Sequence, residues 1–572
     1  MKNLLYLFFL LFSISCWSQN NETNVIYLSD FLTDNQALDD ATSAIRAAVS
    51  KCIETKAKKL ILPGGKLNLK HHKALEKYQF ISNNDPGLKR IAFDLVNMNN
   101  FTIEGNQTTL MFTGFISPFN LENSSNITIR NLSIDYTRTF HSEGEIVDKG
   151  SGWLEIKFPE DYISEISNDC LYFRDNNYIY YPFSSLLEFD KIKHEPAYMA
   201  KDYWLSKQTI NAEKKENGNI RIKREDLTGT VGNILVFGAA ARYHPAFTLD
   251  NCNGVNFYNM NIFHCGGMGI IAQKSRDIEL NKVNVITSPS SGRIISTTAD
   301  ATHFVNCGGY IRMIDCVFEN QKDDATNIHG WYMAVDEIID ENTLLLRWKN
   351  TGQFGINFIK SNDKLEFVDN ETMVTYAYAK VKYVEQLNKE YSKVIFEEPL
   401  PREIKKNHVV AADDYYPDIL IRGCRIQKNR ARGMLIGSRG KVVIRNNYFH
   451  TAGAAILFEG DGNFWYEQSG VKDVLIIDNI FENCNYGYSN WGRACIAVGS
   501  GIPDRKGGYY HHNIRIVDNK FRIFDPRILY LHNVDGCIFS GNKIEKTTDY
   551  TYTLSETRNF VYDDCININI EE

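Results

Sequence analysis

The chain has 572 residues, 43% hydrophobic and 23% charged, with a net charge of −7 and a pI near 6.1. That length suits several domains or one long repetitive one, and the composition is globular. The acidic balance and the lack of a long basic block exclude a general nucleic-acid binder.

The N-terminus reads "MKNLLYLFFLLFSISCWSQNNETN". One lysine precedes an apolar run too short to cross a bilayer, which is the anatomy of an export signal over residues 1–18. Cys16 after "SIS" faintly matches a lipoprotein box, so a lipid anchor there is the alternative. Either way the chain is expected to be an exported bacterial protein. No later segment is long and apolar enough to span a membrane.

Residues 19–135 open with "DNQALDDATSAIRAAVSKCIETKAKKLILPGGKLNL". Ala37, Ile45, Ala48, Val49 and Ile53 give one apolar helical face. Such a helix would cap the open end of a strand coil and protect its first edge.

A repeated pattern then dominates: two alternating apolar residues, a turn pair rich in Asn, Asp or Gly, and another apolar residue. It starts at Ile127, Val255, Ile278, Ile311, Ile419, Val442, Val474, Ile514 and Cys537. Starts are 23 residues apart from 255 to 278, from 419 to 442 and from 514 to 537; other gaps run 32 to 40, with one of 108. Period-2 alternation broken by Asn and Gly turns means short strands. A period near 23 means that each turn buries its apolar side against the next. The spacing predicts an all-β right-handed parallel β-helix. A β-propeller is disfavoured, because its repeats are longer and antiparallel within a blade.

The pattern is lost over 136–232 and 331–415, where hairpin-like strands such as "NTLLLRWK" stand instead. These segments are expected to be small antiparallel β modules inserted into the coil, which resumes over 233–330 and 416–572. Removing Cys16 from the 12 cysteines leaves an odd, scattered set within strand patterns, expected to be core thiols.

Asp300 lies 23 residues before Asp323, one coil turn, and Asp324 adds a third carboxylate. Carboxylates stacked about 4.8 Å apart cannot all ionise freely, which separates a proton donor from a base. Calcium binding and plain turn chemistry are the alternatives. The nearby Lys322 and His329 weaken the calcium reading, since calcium prefers six to eight oxygens. Aligning "ATNIHG", "GMLIGS" and "AILFEG" puts His329, Gly437 and Glu459 in one column facing the same side. His264, Arg293 and His303 come from nearby turns, and Arg430 and Arg432 fall near the Asp323–Asp324 column. All are candidate substrate contacts, Glu459 included. Trp331, with Trp465 and Trp491 behind it, is a candidate sugar-stacking platform.

The trio resembles the polygalacturonase-type glycoside hydrolases, where an Asp precedes an Asp-Asp pair and a histidine near a Gly; here Asp300, Asp323–Asp324 and His329–Gly330. "TTADATHFVNCGGYIRMIDCVFENQKDDATNIHG" is more closely similar to glycoside hydrolase family 110, bacterial exo-acting α-1,3-galactosidases on the pectin-lyase-like fold. The resemblance implies a glycan with a terminal α-1,3-linked galactose as substrate, branched as in blood group B or linear, and inversion at the anomeric carbon. It implies Asp323 as general acid, Asp300 and Asp324 as the water-holding pair, and no metal or organic cofactor. The rivals on this fold are a polysaccharide lyase, a polygalacturonase-like hydrolase and a non-catalytic glycan-binding solenoid.

Overall fold

The computed structural model describes residues 24–33, 39–488, 491–499, 501–502 and 507–571. The segment 1–18, Cys16 and Ala37 lie outside the described residues. Among the described residues no helix is long and apolar enough to cross a membrane.

The chain winds as a parallel β-helix. One wall is a 20-stranded sheet and another a 13-stranded sheet. The repeat starts stack on one another in register: Ile127, Val255, Ile278 and Ile311, then Ile419, Val442, Val474, Ile514 and Cys537. Even the gap of 108 closes, because Ile311 pairs directly with Ile419 across the second insertion. The apolar residues of each turn are buried in one continuous core.

The turn pairs explain the periodicity. Their first residue takes a left-handed backbone, with φ of 55° at Asn446, 57° at Asp478 and 54° at Asp518. Asn and Asp tolerate that conformation best among residues with a side chain. The second residue is an inward Asn. Asn447, Asn479, Asn519 and Asn542 form a ladder in which each Nδ2 donates to the next Oδ1 at 3.0 Å. In the two preceding turns Cys316 and Cys424 take this position, each thiol donating to backbone carbonyls. Cysteines here are structural core groups, and all 11 in the described residues are free thiols.

The helix Thr42–Thr55 covers the first turn, burying Ala44, Ile45, Ala48, Val49 and Cys52. Ile53 departs from expectation: it is 45% exposed. Eight residues beyond Ile45, it sits about 80° around the helix, while Cys52 fills the apolar stripe. The following Gly64 and Gly65 turn at φ 87° and 70°, a region open to glycine.

Two antiparallel units interrupt the coil. The first is a ten-stranded sheet running from Ser142–Gly150 to Ile234–Ala239. The second is a closed barrel of six strands from Met333–Asp340 to Val409–Ala412. The first has its own apolar core, the barrel's takes in Met268, Ile271 and Val305 of the coil, and the strand register continues beneath both.

Candidate active site

The 13-stranded sheet carries the acidic cluster. Strand Thr302–Val305 pairs with Thr326–Trp331, Thr302 lying opposite Thr326. The step is 24 residues, as the Thr302–Thr326 hydroxyl bond records. Asp300 is therefore stacked on Asp324, not on Asp323 as the 23-residue count predicts. The Ala301 N–H donates to the Asp324 carbonyl at 3.1 Å, which locks this offset. Earlier in this same sheet Phe247 pairs with Ile270 at a step of 23, and the turn from Thr302 to Thr326 holds one more residue. The column continues 108 residues on to Arg432, whose side chain grips Asp324 through two bonds of 3.0 Å.

One oxygen of each of Asp300, Asp323 and Asp324 lies within 4.8 Å of the others. Asp323, displaced sideways from the column, is held by Arg242 at 2.5 Å and by Arg430 at 3.2 Å. Arg430 is itself fixed by Asp202 at 2.6 Å. Three guanidiniums thus face three carboxylates. A divalent cation would meet Asp323 and Asp324 oxygens already bonded to guanidiniums, which argues against calcium. Lys322 turns away to Ser185, at 2.6 Å.

The charges are unequal. Burial, reinforced by the Asp323 charge, pushes Asp300 up to about 8. Burial also pushes Asp324 up to about 7, against the pull of Arg432. Asp323 is buried too, but Arg242, Arg430 and Arg432 outweigh that cost and hold it below the usual carboxylate range. Asp300 therefore holds a proton more readily than Asp323, which favours the charged form. This is the reverse of the acid role that the family resemblance implies for Asp323.

His303 lines the same cleft and contacts Asp300, its Nδ1 2.7 Å from the carboxyl. Arg432, Arg430, Glu459, Trp465 and Trp491 also line it. Glu459 reaches the cleft and accepts from the Gly501 N–H.

Four expected substrate contacts are elsewhere. Trp331 is 0% exposed. Its strand leaves the coil to enter the barrel, and the indole packs on Trp348 and Phe358 while donating to Ser82. His264 uses both ring nitrogens inside the protein, accepting from the Phe140 N–H and donating to the Ser296 carbonyl. Arg293 is paired with Asp135 at 2.6 Å and donates to the Tyr136 carbonyl. These two brace the segment that leads into Asp300. His329 shares its column with Glu459 but is buried behind His303, its Nε2 3.0 Å from the His303 Nε2.

Arg242, Asp202, Glu467, Asn83 and Trp204 line or build the site without having been singled out in the sequence. Arg242 stands just beyond the first insertion, and that position beside the resumed coil was the available signal. Asp202 and Trp204 lie within the insertion, and Glu467 in a short hairpin that pairs with Gly330 and Trp331. No local pattern marks these three.

The cleft measures about 1170 Å³. Trp204 from the first insertion and Phe464 and Trp465 from the hairpin stand at its rim, with Trp204 63% and Phe464 70% exposed.

The sequence profiles of two domains described as GLAA-B beta-barrel domain I and II match residues 142–235 and 343–410. Over 96% of its length the chain is 35% identical to "Alpha-1,3-galactosidase A" of Shewanella woodyi, covering 92% of that protein. It is also 30% identical to "Alpha-1,3-galactosidase B" of Bacteroides thetaiotaomicron, over 94% of this chain and 88% of that one.

The chain belongs to the α-1,3-galactosidase A/B family.

Membership of this family, glycoside hydrolase family 110, accounts for both insertions, since the matched profiles fall on them. Among solved structures, the endo-xylogalacturonan hydrolase of Aspergillus tubingensis aligns over 96% of this chain and all of that one. Its identity is 9% and its TM-score 0.40, so the fold assignment stands on the strand register instead.

Proposed function

We propose that this galactosidase-family chain is an exo-acting glycosidase that releases terminal α-1,3-linked galactose with inversion, exported by its N-terminal segment. The observation that carries the reading is the trio of buried carboxylates under Arg242, Arg430 and Arg432 on the floor of the cleft. Asp323 donates a proton to the glycosidic oxygen while Asp300 takes one from the attacking water. Those transfers leave Asp300 protonated and Asp323 ionised, the direction in which the fold already shifts the two carboxyls. Asp324, fixed by Arg432, orients the water with Asp300. A water accepted by two oxygens at about 2.8 Å each spans about 4.6 Å between them, inside the 4.8 Å that bounds the spacing of the trio's nearest oxygens.

Inverting pairs are ordinarily about 6.5–9.5 Å apart. The nearest oxygens of Asp300 and Asp323 lie within 4.8 Å of one another, closer than that range, so retention through an aspartate nucleophile is the second reading. Proton NMR of the first product decides: β-galactose appearing first means inversion, α-galactose retention. A B-type trisaccharide and a linear α-1,3-galactobiose as substrates define the branch preference. For the roles, Asp323→Asn is expected to lose several orders of magnitude on galactobiose, as removal of a general acid does, and far less on an aryl α-galactoside with an acidic leaving group. Asp300→Asn is expected to lose both. The opposite pattern assigns the acid to Asp300.

A further inference from the structure

His303 and His329 are hydrogen-bonded to one another in the wall behind Asp300. The backbone decides their tautomers. His329 Nδ1 lies 2.8 Å from the Gly330 carbonyl, and a carbonyl can only accept, so Nδ1 carries the hydrogen. Burial keeps His329 neutral, which leaves its Nε2 bare. The only hydrogen that can fill the 3.0 Å gap between the two Nε2 atoms then belongs to His303. Burial holds His303 down to about 4, so it too is neutral and its Nδ1 is bare. The 2.7 Å contact from that Nδ1 to Asp300 therefore uses a proton on the carboxyl. Beyond His329, Glu467 Oε1 lies 3.5 Å from Nε2, and Glu467 lines the cleft.

We propose that Asp300, His303 and His329 form a proton wire ending at Glu467, which empties Asp300 between turnovers. The inference rests on Asp300 acting as the water-activating carboxylate. In one shift His303 Nδ1 takes the proton of Asp300 while the His303 Nε2 proton passes to His329 Nε2. One O–H and one N–H bond break, and two N–H bonds form. Asp300 becomes a carboxylate, and His329 becomes an imidazolium beside the Glu467 carboxylate. Glu467 takes the proton and passes it to cleft water, and Asp323 is reprotonated from that water. Asn83 Nδ2, 3.2 Å from His303 Nε2, donates to this nitrogen once it is bare. The charged and titratable groups that face the two rings are Asp300, Asp323, Arg242 and Glu467. The three carboxylates favour a positive charge in transit and Arg242 opposes it.

His329 and Glu467 are thus positioning residues that act through Asp300, and their loss slows the reset rather than bond cleavage. The test compares wild type, His329→Ala and Glu467→Gln on α-1,3-galactobiose. Both variants are expected to lose about 100-fold in kcat, the low end of what a proton-transfer group supplies. Their kcat/KM is expected to stay within about twofold, because it reports only the steps up to cleavage. Added imidazole should restore kcat in His329→Ala. Equal falls in kcat and kcat/KM without rescue would mean packing alone, and an unchanged kcat in both variants would mean an idle wire; either overturns the proposal. Glu467→Gln keeps the test decisive should His329→Ala not fold. If wild type releases no galactose, the galactosidase reading fails first and takes the wire with it.

Discussion

Asp300 shows how one buried carboxyl can weaken the fold once it is charged. Folding buries its carboxyl beside Asp323, with no guanidinium bonded to it directly. Its pKa rises from 3.8 to about 8. A group raised on folding favours the native state at low pH and withdraws that support as the pH climbs through its folded value. Wild-type stability is therefore expected to decline between about pH 4 and pH 8 by this group alone. Asp300→Asn removes the buried charge. It should melt at a higher temperature than wild type at pH 9 and at the same temperature near pH 4. A melting difference independent of pH would contradict the burial argument. The same substitution abolishes turnover in the reading above, a direct opposition of stability and activity at one residue.

At the scale of the element, the coil is held by repetition of one turn. In the turns of Asn447, Asn479, Asn519 and Asn542 a left-handed Asn, Asp or Gly followed by an inward Asn ends the short strand and aims a carboxamide at its neighbours. Asn479 serves five groups: its Oδ1 accepts from the Asn447 backbone N–H and side chain, and its Nδ2 donates to the Ile444 and Ile477 carbonyls and to Asn519. Asn479→Ala strands these partners without water, and each buried unsatisfied group costs about 1–3 kcal/mol. A loss of about 3 kcal/mol is expected, read as a lower denaturant midpoint with an unchanged slope. Loss within experimental error would mean that the ladder is ornamental. The cysteines at the same position in earlier turns bond through the weaker thiol, which fits their place between wide apolar neighbours rather than a disulfide role.

At the scale of the whole molecule, the coil supplies the carboxylates and the insertions supply much of what surrounds them. Arg242 follows the first insertion, Asp202 and Trp204 lie in it, and Asn350 to Phe354 of the barrel reach the same cleft. The cleft is far larger than one galactose needs, and the exposed Trp204, Phe464 and Trp465 line it. In the proposed reading they stack on the sugars that remain after cleavage. Trp204→Ala is expected to raise KM on a B-type oligosaccharide by roughly 3- to 10-fold, the worth of one aromatic contact. It should leave a small aryl α-galactoside unaffected. Equal effects on both substrates would place Trp204 in the galactose pocket instead.

The sequence by itself determined the coil, because strand period, turn chemistry and burial are local and repeat nine times in the chain. It also determined the acidic trio as a group, since one period brings the three aspartates together whichever of them is stacked. Tertiary structure decided what that period could not resolve. One added residue in the catalytic turn stacks Asp300 on Asp324 and moves Asp323 aside toward Arg242. Trp331, His264, Arg293 and His329 share the motif's neighbourhood, yet whether a side chain faces substrate or core depends on where the neighbouring modules pack. Arg242, Asp202 and Glu467 carry no periodic signal at all. Their meeting is a long-range contact between segments up to about 270 residues apart, and only the folded backbone specifies it.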